Sequence, residues 1–349
     1  MSRCVLTAAV GKKSKANTVQ GPSEQDAPVR LGLVGAGVFG GYHGWKIHDH
    51  PGAELVGVHD IDGAAARALG DKFGAQCANT IADLFDRVDA VVLTTPAHTH
   101  GALALQALEA GIHVFVEKPM ALSLDAADAM IEAASARGLV LHVGHQERHV
   151  AAALGLLDGA LVPHKMISRR CMPATGRGED VSVVMDLMIH DLDLAACLFD
   201  DIATVTVARA DLSAAGHAVD AHLQAGAATI ELSVSRRSEK RERTLELAST
   251  DGAVHVDFLN RTMDASSGLT LGSGFAEDDE TDQQPLGLRD PLAFGFEAFM
   301  ADIAAGTPFS PEAAHRGRRA LALAIAVETA AGLRSASARG NANASGDSV

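Results

Sequence analysis

No apolar run in the chain approaches the roughly twenty residues that a bilayer-spanning helix needs, so no membrane partner is expected. Cysteine is scarce. The four, at positions 4, 77, 171 and 197, are not spaced as metal or redox pairs, which predicts free thiols in a reducing, cytoplasmic compartment. Basic charge is also in deficit: 29 Lys and Arg stand against 44 Asp and Glu, for a net charge of -15. Nucleic acid needs a basic footprint on its partner, so that class is excluded. The 16 histidines include no H-E-x-x-H or similarly clustered ligand spacing, and no metal site is expected.

What is present is ordinary globular material, 47% hydrophobic and 21% charged over 349 residues, enough for two domains with cores of their own. Residues 1–28 carry Arg3, Lys12, Lys13 and Lys15 with no acid before Glu24. Their apolar stretch is short for a secretory signal and precedes its lysines, so a loose tail is expected there and a second one over 333–349.

From Val29 short apolar runs alternate with helical stretches: VRLGLVG, ELVGVHD, DAVVLTT, HVFVEKP and LVLHVGH, separated by segments that end at Gly74, Gly111 and Gly138. That alternation predicts βαβ units and a parallel sheet. After Gln146 the pattern changes. A helix over 148–158, a strand over 164–171, a loop PATGRGED and a helix over 181–199 are expected. Strands with period-two alternation follow, in which Ile230, Leu232 and Val234 face one way and Thr229, Glu231 and Ser233 the other. Residues 260–288 read as loop, and two helices, 291–305 and 311–332, close the chain. The expected fold is α/β: a nucleotide-binding domain over 29–146, then an α+β domain over 147–332 with a mostly antiparallel open sheet.

Gly35-Ala36-Gly37-Val38-Phe39-Gly40 is a G-x-G-x-x-G between a predicted strand and a predicted helix, with Asp60 twenty positions beyond Gly40 at the end of the next strand. In that context the motif predicts a Rossmann dinucleotide site. Gly35 allows the tight turn, Gly37 the approach of a pyrophosphate, and Gly40 close helix–strand packing. Asp60 would accept hydrogen bonds from a ribose and repel a 2′-phosphate, favouring NAD over NADP.

A second feature needs explaining. In VVMDLMIHDLDL (183–194), Asp186, His190 and Asp193 interrupt an apolar helix, although charged groups are rarely buried unless paired. Asp186 and His190, four apart, share one helix face. Asp193 continues that face one turn beyond His190, with the helix edge as the other reading. A buried structural pair remains the alternative for Asp186 and His190.

The stretch TTPAHTHGALALQALEAGIHVFVEKPMALS (94–123) resembles the Gfo/Idh/MocA oxidoreductases, with Pro96 and His100 after the fourth strand and Glu117-Lys118-Pro119 after the fifth. Asp186 and His190 match the family's Asp-x-x-x-His. The resemblance spans roughly residues 29–332. It implies that Val38, Phe39, Thr95, Pro96, His100, Glu117 and Lys118 join the glycines and Asp60 at the cofactor, and that Lys118, Asp186 and His190 are catalytic. His98 matches no family position and reads as solvated loop. Pro119 predicts a rigid turn, open to a cis bond, presenting Lys118. The chemistry of these side chains agrees with the resemblance. Oxidising an alcohol needs a proton acceptor near neutrality, which His190 supplies. It also needs a cation beside the developing alkoxide, which Lys118 supplies; Asp186 orients the imidazole or the substrate.

VGHQERH (143–149) and the stretch over 168–194 are similar to the UDP-N-acetylglucosamine 3-dehydrogenase branch of that family, with His149 where the branch has an aromatic residue. A nucleotide sugar brings a diphosphate; Lys165, Arg169, Arg170 and Arg177 cluster around one loop, and Arg148 lies near the domain junction. Guanidinium groups suit phosphate; pairing with Glu147, Glu179 and Asp180 is the competing reading. A free polyol such as inositol is the alternative substrate, and a non-catalytic redox sensor the alternative class, disfavoured because Lys118, Asp186 and His190 are all retained. The resemblance also implies a homo-oligomer, dimer or tetramer.

Overall fold

The structure is a computed structural model that describes residues 27–159, 161–174, 180–199, 202, 204–210, 217–260, 262–266, 269, 291–306 and 311–334. Nearly all of the two expected tails, most of the PATGRGED loop and the acidic run near residue 280 lie outside the described residues.

The first sheet holds β1 (Val29–Val34), β2 (Ala53–His59), β3 (Gln76–Cys77), β4 (Ala90–Leu93), β5 (His113–Val116) and β6 (Leu141–Val143), all parallel in the order β3-β2-β1-β4-β5-β6. Every residue of β4 is buried, as a strand covered on both faces requires. The connecting helices are α1 (Val38–Asp49), α2 (Gly63–Phe73), α3 (Ile81–Phe85), α4 (Ala97–Glu109) and α5 (Leu124–Arg137). Local chemistry sets their ends. The Asp62 side chain accepts from the amides of Ala64 and Ala65, and Ser123 from that of Ala126, satisfying N–H groups that have no partner within the helix. Gly74 and Gly138 close α2 and α5 at φ +72° and +64°, the left-handed geometry a side chain resists. Strand order reverses between β1 and β4, which places their following loops on either side of a crevice at the carboxyl edge of the sheet.

The second sheet contains β7 (Lys165–Cys171), β8 (Thr204–Ala210), β9 (Ala218–Ala225), β10 (Ala228–Ser235), β11 (Glu242–Ser249), β12 (Gly252–Asp257) and β13 (Thr262–Ala265), in the order β13-β12-β11-β7-β10-β9-β8. Only the β7–β10 pair is parallel among its described ladders. Ile230, Leu232, Val234, Leu245 and Leu247 are buried on its inner face, as the alternation predicts. Its outer face carries exposed ion pairs, Lys165–Glu231 at 2.9 Å and Arg169–Glu246 at 3.8 Å.

The remaining helices are α6 (Gln146–Ala153), α7 (Ile189–Leu198), α8 (Pro291–Ala304) and α9 (Pro311–Ala330). Three local expectations are corrected. The first helix after Gln146 starts two residues early and ends at Ala153. The expected loop over 260–288 contains β13. The helix expected over 181–199 includes a π-helical turn, Val184–Met188, before α7 begins; such turns occur often at functional sites. Long-range packing joins the two sheets. Helix α8 returns to the first sheet, where Phe296 and Phe299 pack beside Phe115 and Asp302 meets His142 at 2.8 Å. Helix α9 packs on α5, α7 and β6.

Candidate active site

The glycine loop follows β1 directly. Gly35 has φ +104°, and a Cβ there would lie 2.7 Å from Thr94 Oγ1. At Gly40 a Cβ would come within 2.1 Å of the Gly35 carbonyl oxygen, whereas at Gly37 it would meet nothing within 4 Å. So Gly40 is small to let helix meet loop, and Gly37 is small beside open space. Helix α1 starts there with no side-chain cap and no acid in its first turn, leaving its first amides and their positive potential to an anion. Asp60, just past β2, accepts from the amides of Ala36 at 2.6 Å and Asp62 at 2.8 Å. One such bond on each carboxylate oxygen leaves lone pairs for hydroxyl donors. The residues therefore fit a dinucleotide: Gly37 would leave room for a pyrophosphate at the uncapped start of α1, and Asp60 would accept hydrogen bonds from a ribose.

One cavity of about 1490 Å³ runs from this loop to the second sheet. Gly35, Gly37, Val38, Phe39 and Asp60 line one end, and Thr95, Pro96, His100, Glu117 and Lys118 continue the wall. Gly40 is buried under the loop. His98 also faces the cavity, exposed as expected, but within α4 rather than a loop. His100 is buried and bridges two loops, with Nδ1 2.8 Å from the Pro119 carbonyl and Nε2 2.7 Å from the Thr95 carbonyl. Burial pushes its pKa below the ordinary value although both carbonyls favour the charged form. Glu117 binds His43 Nε2 of α1 at 2.7 Å. Burial would raise the Glu117 pKa, but the His43 hydrogen bond and the charges of His43, Lys118 and His100 outweigh it and hold the carboxyl below the usual range. Gly144 makes room for this carboxylate, since a Cβ there would sit 2.8 Å from Glu117 Oε1.

Lys118, joined to Pro119 by a cis bond, extends toward the π-helical turn. Its Nζ donates to the Asp186 carbonyl oxygen at 2.8 Å and to Asp186 Oδ1 at 3.0 Å. Asp186 Oδ2 lies 3.9 Å from the buried Arg236 guanidinium. An ammonium has three donors, so one remains for a substrate oxygen. Asp186 is thus paired with Lys118 and Arg236, not with the imidazole of His190. His190 sits one turn further, half-buried and outside the described cavity wall. Desolvation, with the charges of Lys118, Arg170 and His145, drives its pKa well below the ordinary value, so its ring is neutral at neutral pH and keeps a basic nitrogen.

The arginines divide otherwise than a phosphate cluster would. Arg148 is buried and forms a two-point pair with the fully buried Asp193, its Nε 3.1 Å from Oδ2. Asp193 is therefore interior, correcting the reading that it reaches the helix edge. Arg170 meets Asp191 at 2.9 Å and Glu147 at 3.6 Å, and Glu147 also pairs with Arg243. Arg169 points to the outer sheet face beside Glu246. Neither Arg148 nor Arg169 is part of the cavity wall, since a buried carboxylate on α7 and an exposed one on β11 pair with them. Arg177 lies outside the described residues. The cation that does line the far end of the cavity is Arg241, together with Asp180 and Met172. Sequence reading missed Arg236, Arg241 and His43, which carry no motif spacing and are placed just after β10, just before β11 and within α1.

Among the described residues no cluster of His, Cys, Asp or Glu could hold a metal ion, and no helix is long and apolar enough to cross a membrane. Dinucleotide cradle, apposed lysine and a histidine beyond them define a nicotinamide-dependent oxidoreductase. Residues 29–145 match the family model described as GFO_IDH_MocA, oxidoreductase family, NAD-binding Rossmann fold. The chain is 33% identical over 314 residues to a UDP-N-acetylglucosamine 3-dehydrogenase of Acidithiobacillus ferrooxidans, covering 86% of this chain and 97% of that protein. The solved structure of that enzyme aligns with a TM-score of 0.77 at 30% identity, over 88% of this chain and 99% of the other. An inositol 2-dehydrogenase of Rhizobium meliloti is 28% identical over 85% of this chain and 95% of its own length. The chain belongs to the Gfo/Idh/MocA oxidoreductase family, and it is an NAD(P)-dependent dehydrogenase.

Proposed function

We propose that this dehydrogenase oxidises a secondary sugar hydroxyl, and that its substrate is a nucleotide sugar of the UDP-N-acetylglucosamine type, oxidised at the 3-position. The observation that carries the reading is Lys118, fixed by two hydrogen bonds to Asp186 on the cavity wall shared with the glycine loop. The near full-length likeness to the Acidithiobacillus enzyme supports the substrate. The cavity of about 1490 Å³ exceeds the roughly 300–1,000 Å³ of a typical single-ligand pocket, as a site shared by a dinucleotide and a substrate requires. Arg241 at its far end is suited to the diphosphate.

A bound nicotinamide supplies the acceptor for the hydrogen and electron pair that leave carbon. The protein's residues handle the oxygen. Lys118 donates its remaining N–H to the hydroxyl oxygen and stabilises the negative charge that develops there. Asp186 holds the ammonium in place, and His190 accepts the hydroxyl proton on a neutral ring nitrogen. Asp60 favours NAD over NADP, since its carboxylate repels a 2′-phosphate. The polar outer face of the second sheet is the surface on which a homo-oligomer would form.

A free polyol is the second reading, favoured by the pairing of Arg148 and Arg169 away from the cavity. The test is reduced-nicotinamide absorbance with NAD or NADP against UDP-N-acetylglucosamine, UDP-glucose, glucose and myo-inositol, with a keto-consuming aminotransferase to pull the equilibrium. Signal with UDP-N-acetylglucosamine and NAD, lost in Lys118→Ala, is expected. Signal with myo-inositol alone would overturn the nucleotide-sugar assignment.

A further inference from the structure

Glu117 stands immediately before Lys118, buried yet part of the cavity wall. An ionised carboxylate only accepts, so its 2.7 Å contact with His43 is a bond donated by the imidazole Nε2–H. His43 is fully buried against Phe115, and its Nδ1 has no hydrogen-bond partner among the described residues. A proton on that nitrogen would be a buried donor with nothing to bond, at a cost of roughly 1–3 kcal/mol. The geometry therefore suits a neutral His43 ring with Nδ1 bare, and the His43–Glu117 pair presents one net negative charge to the cavity. Lys118 directs two of its donors to Asp186 instead, and burial pushes His100 toward its neutral form.

We infer that Glu117 sets the redox preference of the bound cofactor: its carboxylate is the counter-charge of the oxidised nicotinamide ring, and His43 is the positioning residue that holds that carboxylate ionised and in place. This rests on Lys118 marking the reacting end of the cavity, as proposed above. A dinucleotide that starts at the glycine loop and ends at a substrate beside Lys118 runs along the wall to which Glu117 belongs. The nicotinamide ring carries a positive charge when oxidised and none when reduced, while the rest of the dinucleotide is the same in both forms. A fixed negative charge beside it favours the oxidised form. It holds NAD+ more tightly than NADH, and by linkage shifts the bound couple away from NADH by the same factor. Glu117 is faced by His43 from α1, His100 from α4, Lys118 from its own loop and His145 from the junction of β6 and α6. Burial would neutralise the carboxyl; the His43 bond is the largest effect opposing it, so without that bond the carboxyl should take up a proton.

The test is equilibrium binding of NAD+ and NADH to the full chain, without sugar, in wild type, Glu117→Gln, His43→Leu and His43→Gln. NADP+ and NADPH form a parallel arm, since the extra phosphate is common to both redox forms. The ratio of the NADH Kd to the NAD+ Kd should fall about tenfold in Glu117→Gln, equivalent to a rise of about 30 mV in the potential of the bound two-electron couple. His43→Leu should match Glu117→Gln near neutral pH and climb back toward the wild-type ratio in alkali, as the buried carboxyl ionises. His43→Gln keeps a donor and should retain the wild-type ratio. A mere packing defect would weaken both redox forms alike, leaving the ratio and its pH dependence as in wild type. An unchanged ratio in Glu117→Gln would overturn the inference, and a His43→Leu ratio equal to wild type at every pH would overturn the role of His43. If His43→Leu does not fold, Glu117→Gln and His43→Gln still decide. Because no sugar is present, failure of the substrate assignment and failure of this inference are read separately.

Discussion

Lys118 Nζ meets Asp186 at two atoms, the main-chain carbonyl oxygen and one carboxylate oxygen, joining the loop after β5 to the π-helical turn before α7. The side chains are only 15% and 20% exposed, so the pair acts where screening is weak. Its charge also reaches His190, where it favours the neutral ring.

Two effects should therefore follow from Lys118→Ala. Activity should fall by about 1,000-fold, in the range seen when a positioned donor to a developing oxyanion is removed. The His190 pKa should rise, because a nearby cation that opposed protonation is gone. An NMR titration of the His190 ring checks the sign: in wild type the ring stays neutral well below pH 6.5, and in the variant protonation moves to higher pH.

The two glycines of the nucleotide loop should separate folding from binding. Gly37→Ala adds a Cβ that touches no protein atom within 4 Å. It should leave Tm within about 1 °C and weaken NAD by about tenfold, or ~1.4 kcal/mol, because the methyl occupies cofactor space. Gly40→Ala places its Cβ 2.1 Å from the Gly35 carbonyl oxygen. It should lower Tm as well as abolish NAD binding. Calorimetry of both variants, with and without NAD, measures the two effects.

Arg148 and Arg169 should behave differently from phosphate ligands. Asp193→Ala leaves Arg148 buried without its carboxylate and should cost about 3–5 kcal/mol of stability. Arg169→Ala removes one side of an exposed pair and should change stability by less than about 1 kcal/mol, with KM for any sugar unaltered. Denaturant unfolding and steady-state kinetics provide the comparison.

Acid should destabilise the fold from just below neutrality. Burial holds both His145 and His149 at about 4, below the ~6.5 of an exposed histidine. Between those values the unfolded chain binds more protons than the native one, so stability is complete above pH 6.5 and is lost as pH falls toward 4. His149→Phe, which puts a non-titrating ring beside Gly295, should flatten the fall in Tm between pH 7 and pH 5. An unchanged slope would show that His149 contributes nothing to it.

The nucleotide loop and its acid partner were legible in the sequence because each is a local arrangement, whereas Lys118 and Asp186, 68 residues apart, were proposed as catalytic with His190 only through the family resemblance. Gly35 and Gly40 are demanded by backbone geometry, Gly37 lies between them beside open space, and Asp60 follows one βα unit later. The helix stops at Gly74 and Gly138 were legible for the same reason, as was the buried stripe of Ile230, Leu232 and Val234. The π-helical turn at Asp186 was not, since Val184–Met188 reads as ordinary apolar helix.

By itself the sequence determined the two-part α/β architecture and, through the glycine loop and the motifs at Lys118, Asp186 and His190, the family. Only the tertiary structure decided which charges meet. It placed Asp193 against Arg148 from 45 residues away, brought Asp302 to His142 across 160 positions, and turned Asp186 toward Lys118 rather than His190. Backbone geometry is set by neighbours along the chain, whereas a buried charge takes whichever counter-charge the packed elements bring within reach, and that choice exists only once the sheets and helices are assembled.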